Sequence, residues 1–154
     1  MPGTVPFCSV DFADAFLGAH RWIDNWVASS SEEKEKALVN ATNVILMFCK
    51  FEDEDGNEVE YPVPETTSDE RIPDWLRCAA CYEALYFLDL ANDPARPFPL
   101  GILGLIKSGK DTFDHDYEPP LFSAMARRLL EENGAVVDDP YDDGNKWAHR
   151  MWID

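Results

Sequence analysis

"IPDWLRCAACYEALYFLDL", residues 72–90, decides what kind of core this chain can build. Pro73 suits the first turn of a helix, where its missing N–H has no intrahelical partner to lose. From Trp75 to Leu90 the side chains are apolar on most faces, and the charges are confined to Arg77, Glu83 and Asp89. A helix apolar nearly all round belongs in the interior, so this one is expected to be the central helix. The stretch also holds Cys78-Ala-Ala-Cys81, a spacing used by thiol redox enzymes and by zinc sites. A redox pair places its first thiol at a helix N-terminus, where the dipole lowers its pKa. Here Pro73, Asp74, Trp75, Leu76 and Arg77 precede Cys78, so the pair sits a turn or more inside an apolar helix. Zinc would need two further ligands, yet Cys8 and Cys49 are isolated and His20, His115 and His149 are scattered. Packing as small hydrophobes is the expected role of both cysteines.

The neighbouring segments supply helices to surround this one. Ser30 followed by Glu33 reads as a capping box, and Ala37, Leu38, Ala41, Ile45 and Phe48 then recur at helical spacing. Upstream, Ser9 is a candidate N-cap with Asp11 in the first turn. Phe12, Ala15, Phe16, Ala19 and Ile23 predict one continuous helix reaching "WVASSS" at 26–31. Between these and the central helix, "FEDEDGNEVEYPVP" (51–64) carries an Asp-Gly turn signal, predicting an acidic hairpin or long loop stopped by Pro62 and Pro64. Downstream, Pro94, Pro97 and Pro99 end the central helix. In 112–118 Phe113, His115 and Tyr117 alternate with Asp114, Asp116 and Glu118, as in a short exposed strand. "LFSAMARRLLEEN" (121–133) predicts a fourth helix with Leu121, Met125 and Leu129 on one stripe and Gly134 as its stop. The fold class expected is mainly α: a bundle of about four helices with short β segments in the loops and an extended C-terminal tail. Its core is expected to include Phe12, Phe16, Leu38, Ile45, Leu76, Tyr82, Leu85, Phe87 and Leu129.

Composition narrows the function classes. The 154 residues carry 30 Asp and Glu against 13 Lys and Arg, a formal charge of −17, with 45% hydrophobic residues to build one core. Phosphate backbones are bound by clustered Lys and Arg, whereas most basic residues here stand beside acids, as in "EEKEK" and "ARRLLEE". The same sign argument disfavours acidic membranes. The amino-terminal "MPGTVPFCSVDF" lacks a basic-then-apolar signal pattern and no apolar run approaches the ~20 residues of a membrane span, so a cytosolic protein with reduced thiols is expected.

Three other motifs come close to known sites. Gly104-Leu-Ile-Lys-Ser-Gly109-Lys110 matches a phosphate loop until Asp111 replaces the required Ser or Thr, and no helix follows to hold phosphate. "EDEDGNE" resembles a calcium loop, but Phe51 falls where the first acidic ligand belongs. In "DHD", 114–116, alternation sends the acids and the histidine to opposite faces. No catalytic residue, metal or cofactor is expected from these patterns.

The order of segments does have a counterpart. "SVDFADAFLGAH", "EEKEKALVNATNVI", "YPVP", "IPDWLRCAACYEALYFL", "GLIKSG" and "PPLFSAMARRLL" together resemble the tailed-phage head-tail connector family, whose members are sometimes labelled DnaT-like single-stranded DNA-binding proteins. The resemblance spans roughly residues 9–134 and rests mainly on helical core patterns. It implies a non-enzymatic structural virion protein, a helical adaptor assembled in the host cytoplasm as a ring of twelve copies in the virion neck. Such a ring sits beneath the portal protein, continues the DNA channel without sequence-specific binding, and docks the next neck, stopper or tail protein. The implied division is an N-terminal arm at 1–8, the adaptor domain at 9–134 and a docking tail at 135–154. The aromatic Trp147, Met151, Trp152 and Ile153 are the expected interface of that tail, with Phe98, Leu100 and Leu105 in the proline-rich loop. This chain differs from the family in an acidic insertion at 52–60 and in its longer C-terminal segment. A charge of −17 per copy favours a monomer or weak oligomer in free solution, closing into a ring only on its partner. A single-stranded DNA-binding module is the alternative that the family's other label implies.

Overall fold

Ser9 begins the ordered helical framework: its hydroxyl accepts the Phe12 N–H at 3.0 Å, capping α1 (Val10–Leu17). The computed structural model describes residues 4–61, 63–92 and 120–140. Within them the chain is predominantly helical, with five helices and one small three-stranded sheet.

The single helix expected from Ser9 to Val27 is two. α1 stops at Leu17, and α2 spans only Asp24–Ala28. The turn between them is fixed by the His20 ring, whose Nδ1 lies 3.0 Å from the Phe16 carbonyl, and by Trp22, whose φ of 62° is left-handed. A left-handed residue reverses the helical path, so the apolar spacing that crosses it belongs to two separate helices. The buried stripe is accordingly Ala13, Leu17 and Trp26, while Ala15 and Ala19 face solvent and Phe12 and Phe16 are half-buried.

α3 (Ser31–Phe48) has both halves of the expected capping box: Ser30 Oγ accepts the Glu33 N–H at 3.1 Å, and Glu33 Oε1 accepts the Ser30 N–H at 2.9 Å. It buries Ala37, Leu38, Ala41, Thr42, Val44 and Ile45. The chain then turns directly into β1 (Cys49–Glu52), which pairs antiparallel with β2 (Glu58–Val59) across the Asp-Gly turn. Gly56 takes the positive φ of 85° that the turn requires. The hairpin read from the sequence is therefore present.

α4 (Asp74–Ala91) is the central helix, packed against α1, α2, α3 and α5. Pro73 is its N-cap, one position before the first turn expected of it. α5 (Ala124–Glu132) starts at Ser123, whose hydroxyl accepts the Ala126 N–H at 3.0 Å. Its buried face is Ala126 and Leu130, with Leu121 and Phe122 buried just ahead of it; of the expected stripe, Leu121 is buried, Leu129 is half-buried against the core and Met125 is half exposed. The helix itself begins at Ala124, three residues later than the pattern suggested.

Residues 135–137, assigned from the sequence to the start of a tail, are strand β3 (Ala135–Val137). β3 pairs antiparallel with β1, giving the order β2-β1-β3, with Cys49 opposite Val137 and Phe51 opposite Ala135. Gly134 serves as the expected helix stop at φ 96°, and its carbonyl accepts the Glu52 N–H at 2.9 Å. The boundary placed after Gly134 thus falls between a helix and a strand that belong to one packed unit. At the other end, Phe7 and Cys8 of the segment read as an arm are fully buried. No described helix is long and apolar enough to cross a membrane.

Candidate functional site

α4 organises two polar clusters, one on each side of the core. In the first, Arg77 gathers separate parts of the chain: its Nε donates to the Phe7 carbonyl at 3.1 Å, one terminal nitrogen donates to Asp74 at 3.3 Å, and the other to the Asp69 carbonyl. The Phe7 N–H donates to Thr42 Oγ1 at 2.9 Å, and that hydroxyl donates on to the Leu38 carbonyl. Residue 7 is therefore bonded at both its N–H and its C=O, which seats Cys8 beside α4. The Sγ of Cys8 lies 3.6 Å from the Sγ of Cys81, with both residues fully buried. Cys78, one turn back along α4, is half-buried. The Cys8 contact and burial push the Cys81 thiol up, and burial pushes up Cys78. Neither has the lowered pKa of a redox enzyme's attacking thiol, in keeping with the packing role. Cys49, distant from this cluster at the start of β1, is pushed by burial up to about 12.

The second cluster secures α5. The carboxylate of Asp139 accepts two consecutive backbone N–H groups, Leu121 at 2.9 Å through Oδ1 and Phe122 at 2.8 Å through Oδ2. The third, Ser123, donates at 2.9 Å to Oε1 of Glu83 on α4. Glu83 is fully buried, and its Oε2 has no hydrogen-bond partner among the described residues. Burial, reinforced by the Asp139 charge, raises its pKa well above the ordinary carboxyl value, against the opposing Ser123 bond. Burial therefore favours the protonated, neutral form of Glu83 over its carboxylate. In the sequence Glu83 is one of few charges on α4, and its apolar neighbours on every side are the signal of its burial.

Between the clusters, the His20 ring bridges the Phe16 carbonyl and the Tyr82 hydroxyl, each at 3.0 Å. A carbonyl only accepts, so Nδ1 carries the proton and, in the neutral ring, Nε2 accepts from Tyr82. This triangle of Phe16, His20 and Tyr82 rings closes one side of α1 against α4.

The outer surface is acidic. Residues 52–60 are all exposed, and Asp53 Oδ1 is occupied by the N–H groups of Asp55 and Asn57, each at 2.9 Å. That carboxylate holds its own turn. Six of the eight cations among the described residues are in ion pairs, Lys34 with Asp14, Lys36 with Glu32, Arg71 with Asp69, Arg77 with Asp74, Arg127 with Glu131 and Arg128 with Glu132, while Arg21 and Lys50 are exposed without one among the described residues. Lys34 also lies over the Trp26 ring at 5.3 Å, whose Nε1 donates to Asp14. Arg71, with backbone N–H groups of Glu65 and Arg71, holds the Asp69 carboxyl well below the usual carboxylate range. Trp22 and Val27 are the most exposed apolar side chains of the α1–α2 corner, and a shallow depression on α3 is lined by Glu32, Glu35, Lys36, Val39 and Asn40.

Among the described residues no three His, Cys, Asp or Glu side chains converge as metal ligands do. The expected interface residues Phe98, Leu100, Leu105, Trp147, Met151, Trp152 and Ile153 lie outside the described residues, as do the Gly104–Lys110 and 114–116 motifs. No family model, curated protein or solved structure matches this chain.

Proposed function

We propose that this protein is a non-enzymatic adaptor of a tailed-phage neck, forming a ring beneath the portal that continues the DNA channel and receives the next neck or tail protein. The observation that carries the proposal is the pairing of surface cations. Six of the eight described cations, Lys34, Lys36, Arg71, Arg77, Arg127 and Arg128, are each held by a neighbouring carboxylate, while the 52–60 hairpin exposes six acidic side chains. A surface of this kind repels phosphate, which suits a wall along which DNA slides and opposes a groove that grips it. Twelve copies, each at −17, multiply that effect and keep free subunits apart until a partner surface gathers them. The four longest helices, α1, α3, α4 and α5, supply the bundle, and the aromatic segment 147–153 supplies the docking tail.

Electron microscopy of the purified chain mixed with the portal ring from the same genome tests this directly. The intact chain is expected to add a ring of density to the portal, and a chain truncated after Asp139 to add none. That truncation keeps β3 and the Asp139 bonds to Leu121 and Phe122, so its core should survive. Density from both chains would retain the adaptor and discard the docking tail. No density from either, together with tight salt-sensitive binding of single-stranded DNA, would replace the adaptor with the DNA-binding module.

A further inference from the structure

Cys78-Ala-Ala-Cys81 draws attention along the helix, but the nearer sulfur to Cys81 lies across the core. Cys8 and Cys81 are 73 positions apart in sequence and their sulfurs are 3.6 Å apart in space. Thiols at that separation are in contact without a bond, and a bonded pair has sulfurs about 2.05 Å apart, so closure requires a local shift of about 1.5 Å. Residue 7 is pinned on both sides, by Thr42 and by Arg77, so Cys8 is presented to Cys81 as part of the native packing. Both sulfurs are sealed from solvent, but Cys78 is half-buried on the next turn of the same helix and gives a route in.

We propose that Cys8, Cys78 and Cys81 form an oxidation site, in which a small-molecule disulfide such as oxidised glutathione converts Cys8 and Cys81 into a disulfide that staples residues 7–8 to α4. The Cys78 thiolate attacks one sulfur of oxidised glutathione and releases one glutathione thiol. Cys81 displaces the second glutathione from Cys78, and Cys8 then attacks Cys81 and returns Cys78 to its thiol. In balance, two protein thiols become one disulfide and one glutathione disulfide becomes two thiols. The raised thiol pKa values make the exchange slow at neutral pH and faster as pH rises. The site is independent of the adaptor proposal, because it uses only the packing of one chain.

The test incubates the folded, reduced full-length chain with oxidised glutathione at mildly alkaline pH, then maps disulfides by mass spectrometry after blocking free thiols. A Cys8–Cys81 link is expected, reversible by reductant, while Cys49 and Cys78 remain alkylatable. The link closes a long loop, so Tm should rise by about 10 °C. Cys78→Ser changes only a half-buried thiol and should give the same link more slowly. The same treatment in concentrated urea should give mixed pairings. Four alkylatable thiols after treatment of the folded chain, a Cys78–Cys81 link, or glutathione retained on Cys78 with Cys8 and Cys81 free would each overturn the site. An unchanged rate in Cys78→Ser would overturn the entry route assigned to that residue.

Discussion

Replacing Glu83 with Gln should flatten the pH dependence of stability. In the folded chain burial makes the Glu83 carboxyl hold its proton far more tightly than in the unfolded chain, where its pKa is near 4.5. The folded state therefore binds the extra proton, and the sign follows: stability is greatest below pH 4.5 and falls as pH rises toward the folded pKa. One proton corresponds to about 1.4 kcal/mol per pH unit, and this slope applies only between the unfolded and the folded pKa of the group. Gln keeps an oxygen for the Ser123 N–H and removes the titration, at a cost that does not vary with pH. Urea melts followed by tryptophan fluorescence, run on both proteins from pH 5 to pH 8, isolate the effect as a difference. The Gln variant should gain on the wild type as pH rises from 5, until the folded pKa of Glu83 is passed. A difference that stays constant with pH would show that Glu83 is ionised in the core, and would refute the neutral acid described above.

Four further substitutions test the fold and the corner that carries Trp22. Asp139→Ala should cost about 2–3 kcal/mol in urea melts, because the N–H groups of buried Leu121 and Phe122 lose their acceptor; a change below 0.5 kcal/mol would mean that water replaces it. Gly134→Ala should cost at least about 2 kcal/mol, since its φ is 96° and a Cβ would stand 2.6 Å from the Glu52 carbonyl oxygen. Ser30→Ala should lower stability by about 1 kcal/mol through loss of the capping box, seen as a lower denaturation midpoint at unchanged slope. Trp22→Gly should melt at or above the wild-type temperature, because an 83% exposed side chain is removed and left-handed strain is relieved; a drop of several degrees would assign the indole a structural role.

The helices were largely visible in the sequence because caps and periodicity act locally. Ser9, the Ser30–Glu33 box and the apolar run of α4 each specify a helix from adjacent residues, and the structure has all three. The break at Trp22 was hidden because it depends on a left-handed residue and a His20 side-chain bond to backbone, neither of which disturbs the apolar spacing. β3 was hidden for a different reason: three residues cannot display alternation, and its identity as a strand comes from β1. The same holds for the clusters. Cys81 and Glu83 were both noticed on the central helix, but their partners, Cys8 and Ser123, are set by tertiary packing. An apolar residue directly before an N-cap, as Cys8 is before Ser9, was the available sign that residues 7–8 would pack inward.

The strand order β2-β1-β3 also has a consequence for how the chain is made. β1 can pair with β2 as soon as the hairpin leaves the ribosome, but its other edge must wait for Val137, 88 positions after Cys49. At about 5–20 residues per second that interval lasts roughly 4 to 18 seconds, far longer than the microseconds a hairpin needs to form. Throughout it the nascent chain presents Cys49 and Phe51 on an uncovered strand edge, open to a neighbouring chain on the same message. The acidic residues at 52–60 are carried by every such chain, and the repulsion between two copies of them opposes pairing through β1.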